Sequence, residues 1–443
     1  MLGLGVEVLA VLAGFALLGL FVLDLTLERQ DVPWIFVCAI ALAREMSDPL
    51  PAINAAGIAI NGEDIILAVA LLVVTGWLFR GMALQTPQTL MALAVLLVMM
   101  SVLRGAPEFG LPAAINEARE TLYFLGAGLL GSFAPVGPKD RRRLMNGWLV
   151  LCGGLAALAI LRWGIVFSGL PFRGHWYESE FAGLRVLDSN GALVLTIGFL
   201  MLLPRLLRGR ATRLEQLAGG CFGVVVVLLQ HRSVWLTLVA GTAYLVWDNR
   251  KRVSRTMVMS VGVGVVVFGL VSLLLVDFAA LGEQAGRADA TSDKTWQWRV
   301  SGWADLLEES GPVGPFEYLF GVPYGSGWER SVSAGFDVDV PPHNFYLEML
   351  LRIGLVGILL VVAAGWMSAR RLRHHELEVD DGYLNASVML TILTIQALYS
   401  VPYNLGMEQG LLFGLAMAIW ADPQRRMGRG LHLVRPGDSL VRR

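Results

Sequence analysis

The chain is 443 residues long, 55% hydrophobic and 16% charged, with a formal net charge of −1. That balance argues against nucleic acid or a broadly acidic partner and turns attention to where the basic residues fall. The apolar residues come in runs able to cross the roughly 30 Å hydrocarbon core with about 20 residues each, so the chain reads as an all-α polytopic membrane protein.

The first run, Leu4 to Leu23, ends in Asp24 without a small-residue cleavage site and lacks a basic start, so it reads as a retained membrane helix and not a signal peptide. Pro33 to Leu42 is short. Either it spans, lengthened by Arg44 to Met46, or Pro33 to Ile60 forms a re-entrant or interfacial hairpin. Further spans are expected at Ile65 to Phe79, Leu90 to Leu103, Ala113 to Ala134, Gly147 to Leu170, Gly191 to Leu207, Gln216 to Leu229, Val234 to Trp247, Met257 to Val276, His343 to Met367, Val388 to Tyr399 and Leu411 to Trp420. The hairpin alternative is preferred, giving about twelve spans within a range of about eleven to thirteen. No repeat, low-complexity tract or appended soluble domain is visible, so residues 1–443 read as a single integral membrane domain. Cys38, Cys152 and Cys221 lie in apolar segments at no metal-ligand spacing and say nothing about redox compartment.

Basic residues cluster between alternate spans: Lys139 with Arg141 to Arg143; Arg205, Arg208, Arg210 and Arg213; Arg250 to Arg252 with Arg255; Arg370, Arg371 and Arg373; Arg425 and Arg426. The positive-inside bias makes that face cytoplasmic. The opposite, outer face carries Pro171 to Asn190, the turn at His231 and Arg232, the long segment 277–342, and Pro402 to Gln409. The segment 277–342 is too long and too aromatic for an idle connection and is expected to cap the bundle. Within it Thr295 to Glu309 reads as a helix with Trp296, Val300, Trp303 and Leu307 on one stripe. Leu319 to Gly327 is glycine-rich without phosphate-loop spacing, and Asp337 and Asp339 read as loop residues, not a metal pair.

Where that segment meets the next span stands Val340-Pro341-Pro342-His343-Asn344. The prolines favour a helix start just after them, placing His343 in the first turn, where the dipole disfavours imidazolium and leaves a neutral ring able to accept a proton. Asn344, Glu348 and Arg352 recur at helical spacing on one face, so Glu348 and Arg352 are expected to pair. For His343 alone the bland alternative is a structural hydrogen bond. Arg185, Arg232 and Arg299 are the other outer-face candidates. Singly, each has a bland reading as a lipid-phosphate anchor, but three arginines at helix ends on the face that positive-inside bias disfavours fit a shared pocket for a polyanion better. His231, beside Arg232, either supports that pocket or fills the turn. Asn116, Glu117, Arg119 and Glu120, with Arg162, read as a structural ion-pair network, and Glu408 as a neutraliser of one of the arginines.

These residues carry a resemblance. His343-Asn344-Phe345-Tyr346-Leu347 followed by Gly354-Leu355-Val356-Gly357, Arg232 followed by Ser-Val-Trp, the Arg299 to Trp303 helix, and Leu319-Phe320-Gly321-Val322 together resemble the O-antigen ligase and O-antigen polymerase superfamily, over roughly Leu184 to Gly357. The chain departs from that pattern at Arg352, where an acidic or small residue is expected. The resemblance implies a GT-C-like, metal-independent, cofactor-free glycosyltransferase in the bacterial inner membrane, with its site on the periplasmic face and 277–342 as the periplasmic loop. It implies an undecaprenyl-diphosphate-linked glycan as donor and lipid A-core or a lipid-linked glycan as acceptor. In that setting His343 would be the base of an inverting transfer, Arg185, Arg232 and Arg299 would hold the diphosphate, and Asn344, Glu348, Arg352 and His231 would support them. A ligase is favoured over a polymerase using the same donor because the aromatic cap suits a core oligosaccharide. A multipass transporter is the reading from another class, but transporters place their ionisable residues near the midplane in repeated halves, and this chain gathers them at one face.

Overall fold

A computed structural model describes residues 32–46, 53–55, 58–79, 81, 83–168, 185–250, 299–308, 311–332, 336–374 and 384–419. The spans expected at Leu4 to Leu23 and Met257 to Val276 lie outside these residues. The described residues form thirteen helices and two short hairpins, an all-α polytopic membrane architecture. In chain order these are α1 (Val32–Met46), the hairpin β1 (Ile53–Ala55) with β2 (Ile58–Ile60), α2 (Gly62–Phe79), α3 (Thr86–Phe109), α4 (Leu111–Gly131), α5 (Pro138–Phe167), α6 (Ser189–Leu207), α7 (Arg213–Leu228) and α8 (Arg232–Asn249). Then follow α9 (299–308), α10 (Pro315–Phe320), the hairpin β3 (Glu329–Val332) with β4 (Phe336–Asp339), α11 (Phe345–His374), α12 (Ala386–Tyr399) and α13 (Met407–Ile419). Asp339, expected in a loop, ends β4 and accepts a hydrogen bond from the Trp328 amide at 2.8 Å.

Local chemistry sets the boundaries. Asp188, Thr212 and Asn385 cap α6, α7 and α12 by accepting an amide three residues on, and Pro138 opens α5. Gly110, at φ 88°, turns α3 into α4 to make a tight antiparallel pair. Among the described residues five helices, α2, α3, α5, α6 and α11, are long and apolar enough to cross a membrane. The short second apolar run settles as α1, a single helix reaching Met46 and packed along α5: Trp34 meets Trp148 edge-on, Leu42 reaches Gly154, and the Glu45 carbonyl accepts from Arg162. The helix runs on through Arg44 to Met46, and the β1–β2 hairpin follows it within the stretch expected either to span or to form a re-entrant or interfacial hairpin. Glycines let α13 press against α4, where a Cβ at Gly410 or Gly414 would overlap the carbonyls of Phe124 or Gly128.

The loops sort into two ends. At one, Arg141 bonds Leu384, Arg208 bonds Asn249 and Ser387 bonds Asp248, so the basic loops meet one another. At the other, Arg44 bridges Glu63 and Glu408, Tyr399 bonds Asn190, and the Phe345 amide bonds the Ser400 carbonyl. His343 lies at this second end.

α11 is broken. Gly354 sits at φ 66° and ψ −171°, splitting the helix into an inner piece of 345–353 and a span from 355 onward. The chain 319–322 fills the break: the Val322 amide donates to the Leu351 carbonyl at 2.6 Å, Ser101 Oγ to the Arg352 carbonyl at 2.8 Å, and Arg104 Nη1 to the Gly321 carbonyl at 3.1 Å. Backbone meets backbone there, and a Cβ at Gly354 would overlap the Leu319 carbonyl while one at Gly321 would overlap Arg352. Gly354→Ala is therefore expected to cost at least about 2 kcal/mol, since a left-handed alanine is strained and the overlapped atoms are backbone. Gly153→Ala in α5 meets nothing within 4 Å and should be neutral. Thermal unfolding in detergent monitors both; equal midpoints for the two variants would remove the importance given to the break.

Candidate functional site

The sequence reading put His343 in the first turn of α11, but Asn344 takes the capping place. Its Oδ1 accepts the Leu347 amide at 3.0 Å and its carbonyl accepts the Glu348 amide at 2.9 Å. Asparagine is among the strongest N-caps, so the helix begins at Phe345 and His343 is left one residue outside it, in a left-handed conformation at φ 48°. Its flanks are pinned from several elements: Trp303 Nε1 donates to the Pro342 carbonyl at 2.7 Å, Arg330 Nη1 to the Val340 carbonyl at 2.7 Å, and the Phe345 amide to Ser400 at 3.1 Å. The ring is held below the ordinary histidine range, as expected, but for a different reason. Burial lowers it most, Arg299 next, Glu120 opposes, and Arg330 adds to the lowering.

Arg299, on α9, donates through Nη1 to the Pro402 carbonyl at 3.1 Å and places its guanidinium 5.1 Å over the Tyr403 ring. Tyr403 stacks on Tyr399 at 4.9 Å, and Tyr399 donates to Asn190 Oδ1 at 2.9 Å. Arg185 donates to the Gln230 carbonyl at 3.3 Å and lies within electrostatic reach of Tyr403 and Arg232; burial lowers its affinity for a proton most. Arg232 opens α8 with its side chain exposed. His343, Arg299 and Arg185 thus ring the 400–406 turn, with Arg232 beside Arg185. Asn404 of the same turn donates to Glu120 Oε2 at 2.9 Å, and Glu120 faces His343 electrostatically.

His231 is buried, and its Nε2 lies 3.0 Å from the Leu187 carbonyl, which can only accept, so that nitrogen carries the proton. Burial lowers its pKa. The expected Glu348 to Arg352 pair does not form. Glu348 is buried and accepts from Thr121 Oγ1 at 2.8 Å, while Arg352 pairs with Glu117 of α4 and donates to Ser326 Oγ at 2.5 Å and to the Gly327 carbonyl, its guanidinium 4.0 Å over Trp328. A guanidinium this buried needs several acceptors, and a single partner on the next helical turn cannot supply them. Glu117 also accepts the Gly325 amide at 2.7 Å, so the pair clamps the 323–328 loop. The other charges form the expected network: Arg119 with Asp64 at 3.0 Å, Arg162 with Glu45 at 3.9 Å and the Val186 carbonyl at 2.5 Å, and Glu408 with Arg44, not with a candidate arginine, at 3.1 Å.

Sequence reasoning missed Tyr403 and Asn404. The one signal was an aromatic and an asparagine directly after Pro402 in an outer turn. Among the described residues no three of histidine, cysteine, aspartate and glutamate converge as a metal site would require. Below the turn, a cleft of about 330 Å³ runs between α11, α12 and α13, from Phe345, Ser400 and Leu405 at the His343 end to Ala369 and Arg373 at the other. Its walls are mostly apolar, and Val362 and Trp366 are exposed at its lip.

Residues 217–362 match the family described as O-antigen ligase, a stretch holding Arg232, Arg299 and His343. Among curated proteins none matches the chain. Over this stretch, about a third of its length, the chain is similar to the O-antigen ligase family.

Because burial and Arg299 both lower His343, the substitution Arg299→Gln should move its titration upward. Histidine NMR in micelles would follow the ring; an unchanged or lower midpoint would contradict the electrostatic contact.

Proposed function

With an O-antigen ligase-like stretch over residues 217–362, we propose that the chain is a periplasmic-face glycosyltransferase of the inner membrane that moves an undecaprenyl-diphosphate-linked glycan to a sugar hydroxyl of lipid A-core. The observation that carries this reading is the convergence of His343, Arg299 and Arg185, with Arg232 beside them, around one turn at the head of an apolar cleft. The cleft offers an apolar path at membrane depth for a polyprenyl chain, and the arginines at its head offer planar donors for the two phosphates. The acceptor oxygen forms a bond to the anomeric carbon from the face opposite the diphosphate. As it does, its proton passes to the neutral His343 ring, the bond from that carbon to the diphosphate oxygen breaks, and the leaving charge is held by Arg185, Arg232 and Arg299. The anomeric carbon inverts. Neither a cofactor nor a metal has a role in this scheme. A polymerase passing the glycan to a second lipid-linked unit would use the same donor groups; the aromatic cap, with Trp303 on the Pro342 carbonyl next to His343, favours an oligosaccharide acceptor.

His343→Ala and His343→Gln should each lose about 10² to 10⁴ in rate while still binding donor, and wild-type transfer should persist in excess chelator. Arg299→Lys should remain inserted yet lose most activity, because a point charge does not reproduce a bidentate grip. Activity should rise with pH through the His343 titration and level off before neutrality, as its pKa is lowered. Assays with purified lipid-linked donor decide: substantial turnover by both histidine variants, or chelator loss rescued by magnesium, would show the scheme to be wrong.

A further inference from the structure

Between the cap and the bundle lies a small apolar surface that the catalytic reading does not use. Val313 is 92% exposed, Phe316 57% and Tyr318 58%, and Leu319 is exposed beside them. Phe316 stacks on Phe320 at 5.1 Å, and Arg104 of α3 holds its guanidinium 4.9 Å over Phe316. Four large side chains on a six-residue helix and its approach are thus turned away from the protein.

Their height follows from the break in α11. The backbone of Leu319 and Phe320 rests on Gly354, where the longer piece of α11 begins. From Gly354 to His374 that piece rises about 30 Å at 1.5 Å per residue, the thickness of the hydrocarbon core. Counting only to Arg370 gives about 24 Å, which would put Gly354 deeper still. Either way α10 sits no higher than the hydrocarbon boundary. The same level is reached along α3, whose exposed Leu96, Met100 and Leu103 form a lipid-side stripe ending directly below Arg104 and Phe316. On α11 the exposed Leu355, Leu359 and Val362 do likewise.

We propose that residues 313–320 are an interfacial anchor, with Val313, Phe316, Tyr318 and Leu319 inserted at the headgroup and acyl boundary of the leaflet at the His343 end. The partner is the phospholipid bilayer itself. Apart from Glu317, whose carboxylate accepts the Val313 amide at 2.7 Å, the composition is that of a membrane-interface belt, aromatic rings with apolar neighbours, and Arg104 brings to that level the charge sign that lipid phosphates favour. Part of the segment read from sequence as a cap on the bundle is then seated in the membrane. Through Gly321, Val322 and the Arg352 to Glu117 clamp, the anchor sets the height of the 323–328 loop.

Spin labels measure this in the full chain. In a background with Cys38 and Cys221 replaced by alanine and the fully buried Cys152 kept, labels at Val313→Cys and Phe316→Cys are compared with Leu359→Cys in the lipid wall and Arg210→Cys in a basic loop. The protein is placed in nanodiscs of phosphatidylethanolamine and phosphatidylglycerol. High collision with oxygen and low collision with a water-soluble nickel chelate, as at position 359, is the expected result. Nickel access like that at position 210 would overturn the proposal, and so would exclusion of both quenchers, which would mean a protein partner. Should Phe316→Cys fail to fold, Val313→Cys, outside the helix and almost wholly exposed, carries the comparison alone.

Discussion

A break in a membrane helix frees backbone groups that hydrocarbon cannot satisfy, and the way this chain satisfies them at Gly354 fixes much else. The Leu351 and Arg352 carbonyls are met by Val322 and Ser101, so a segment distant in sequence becomes part of the wall of α11. That docking needs two glycines facing each other, Gly321 and Gly354, because any side chain would part the backbones. It sets the tilt of the 345–353 piece, hence the position of its capped start, and hence His343. The resembling motifs at 319–322 and 354–357 are two halves of one joint.

The arginines at the His343 end divide by what they touch. Arg44, Arg119, Arg162 and Arg352 meet carboxylates from other helices and hold the bundle together at a depth where an unpaired charge is expensive. Arg299 instead turns onto a carbonyl and an aromatic face of the 400–406 turn, which is not the pose of a side chain reaching out to lipid headgroups. Around that turn Arg299 is held by neutral groups, the Pro402 carbonyl and the Tyr403 ring, while the Glu120 carboxylate accepts from Asn404 and faces His343.

The bundle was legible because apolar run length is a direct readout of bilayer thickness, and the predicted spans within the described residues fall on observed helices, most within a few residues. The helix expected at Thr295 to Glu309 covers the observed 299–308. What periodicity could not show was contact between distant segments. The 400–406 turn lies well over 100 residues from Asn190, Glu120 and Arg185 in the chain, and nothing local to Tyr403 announces that Arg299 will lie on it. The helix start expected at His343 falls two positions later, at Phe345, because proline was weighed above asparagine. The short hairpin of β3 and β4 was missed because its strands are only four residues each, too short for the alternation of Phe336-Asp337-Val338-Asp339 to stand out.

Arg352 is the instructive departure. In sequence it sits oddly before a glycine, and a pair with Glu348 one turn back was the economical guess. The break at Gly354 changes the geometry: it turns the end of the 345–353 piece toward α4 and the 323–328 loop, where Glu117 accepts from both the guanidinium and the Gly325 and Gly327 amides. An acidic residue at 352 would face Glu117 with like charge, and a small one would leave Glu117 and the Gly327 carbonyl short of a donor. Arg352 and Glu117 therefore have to be read as a unit supplied by two helices. The 323–328 loop they clamp runs on directly from the 319–322 chain that fills the break, so charge pairing and backbone docking fasten one continuous segment.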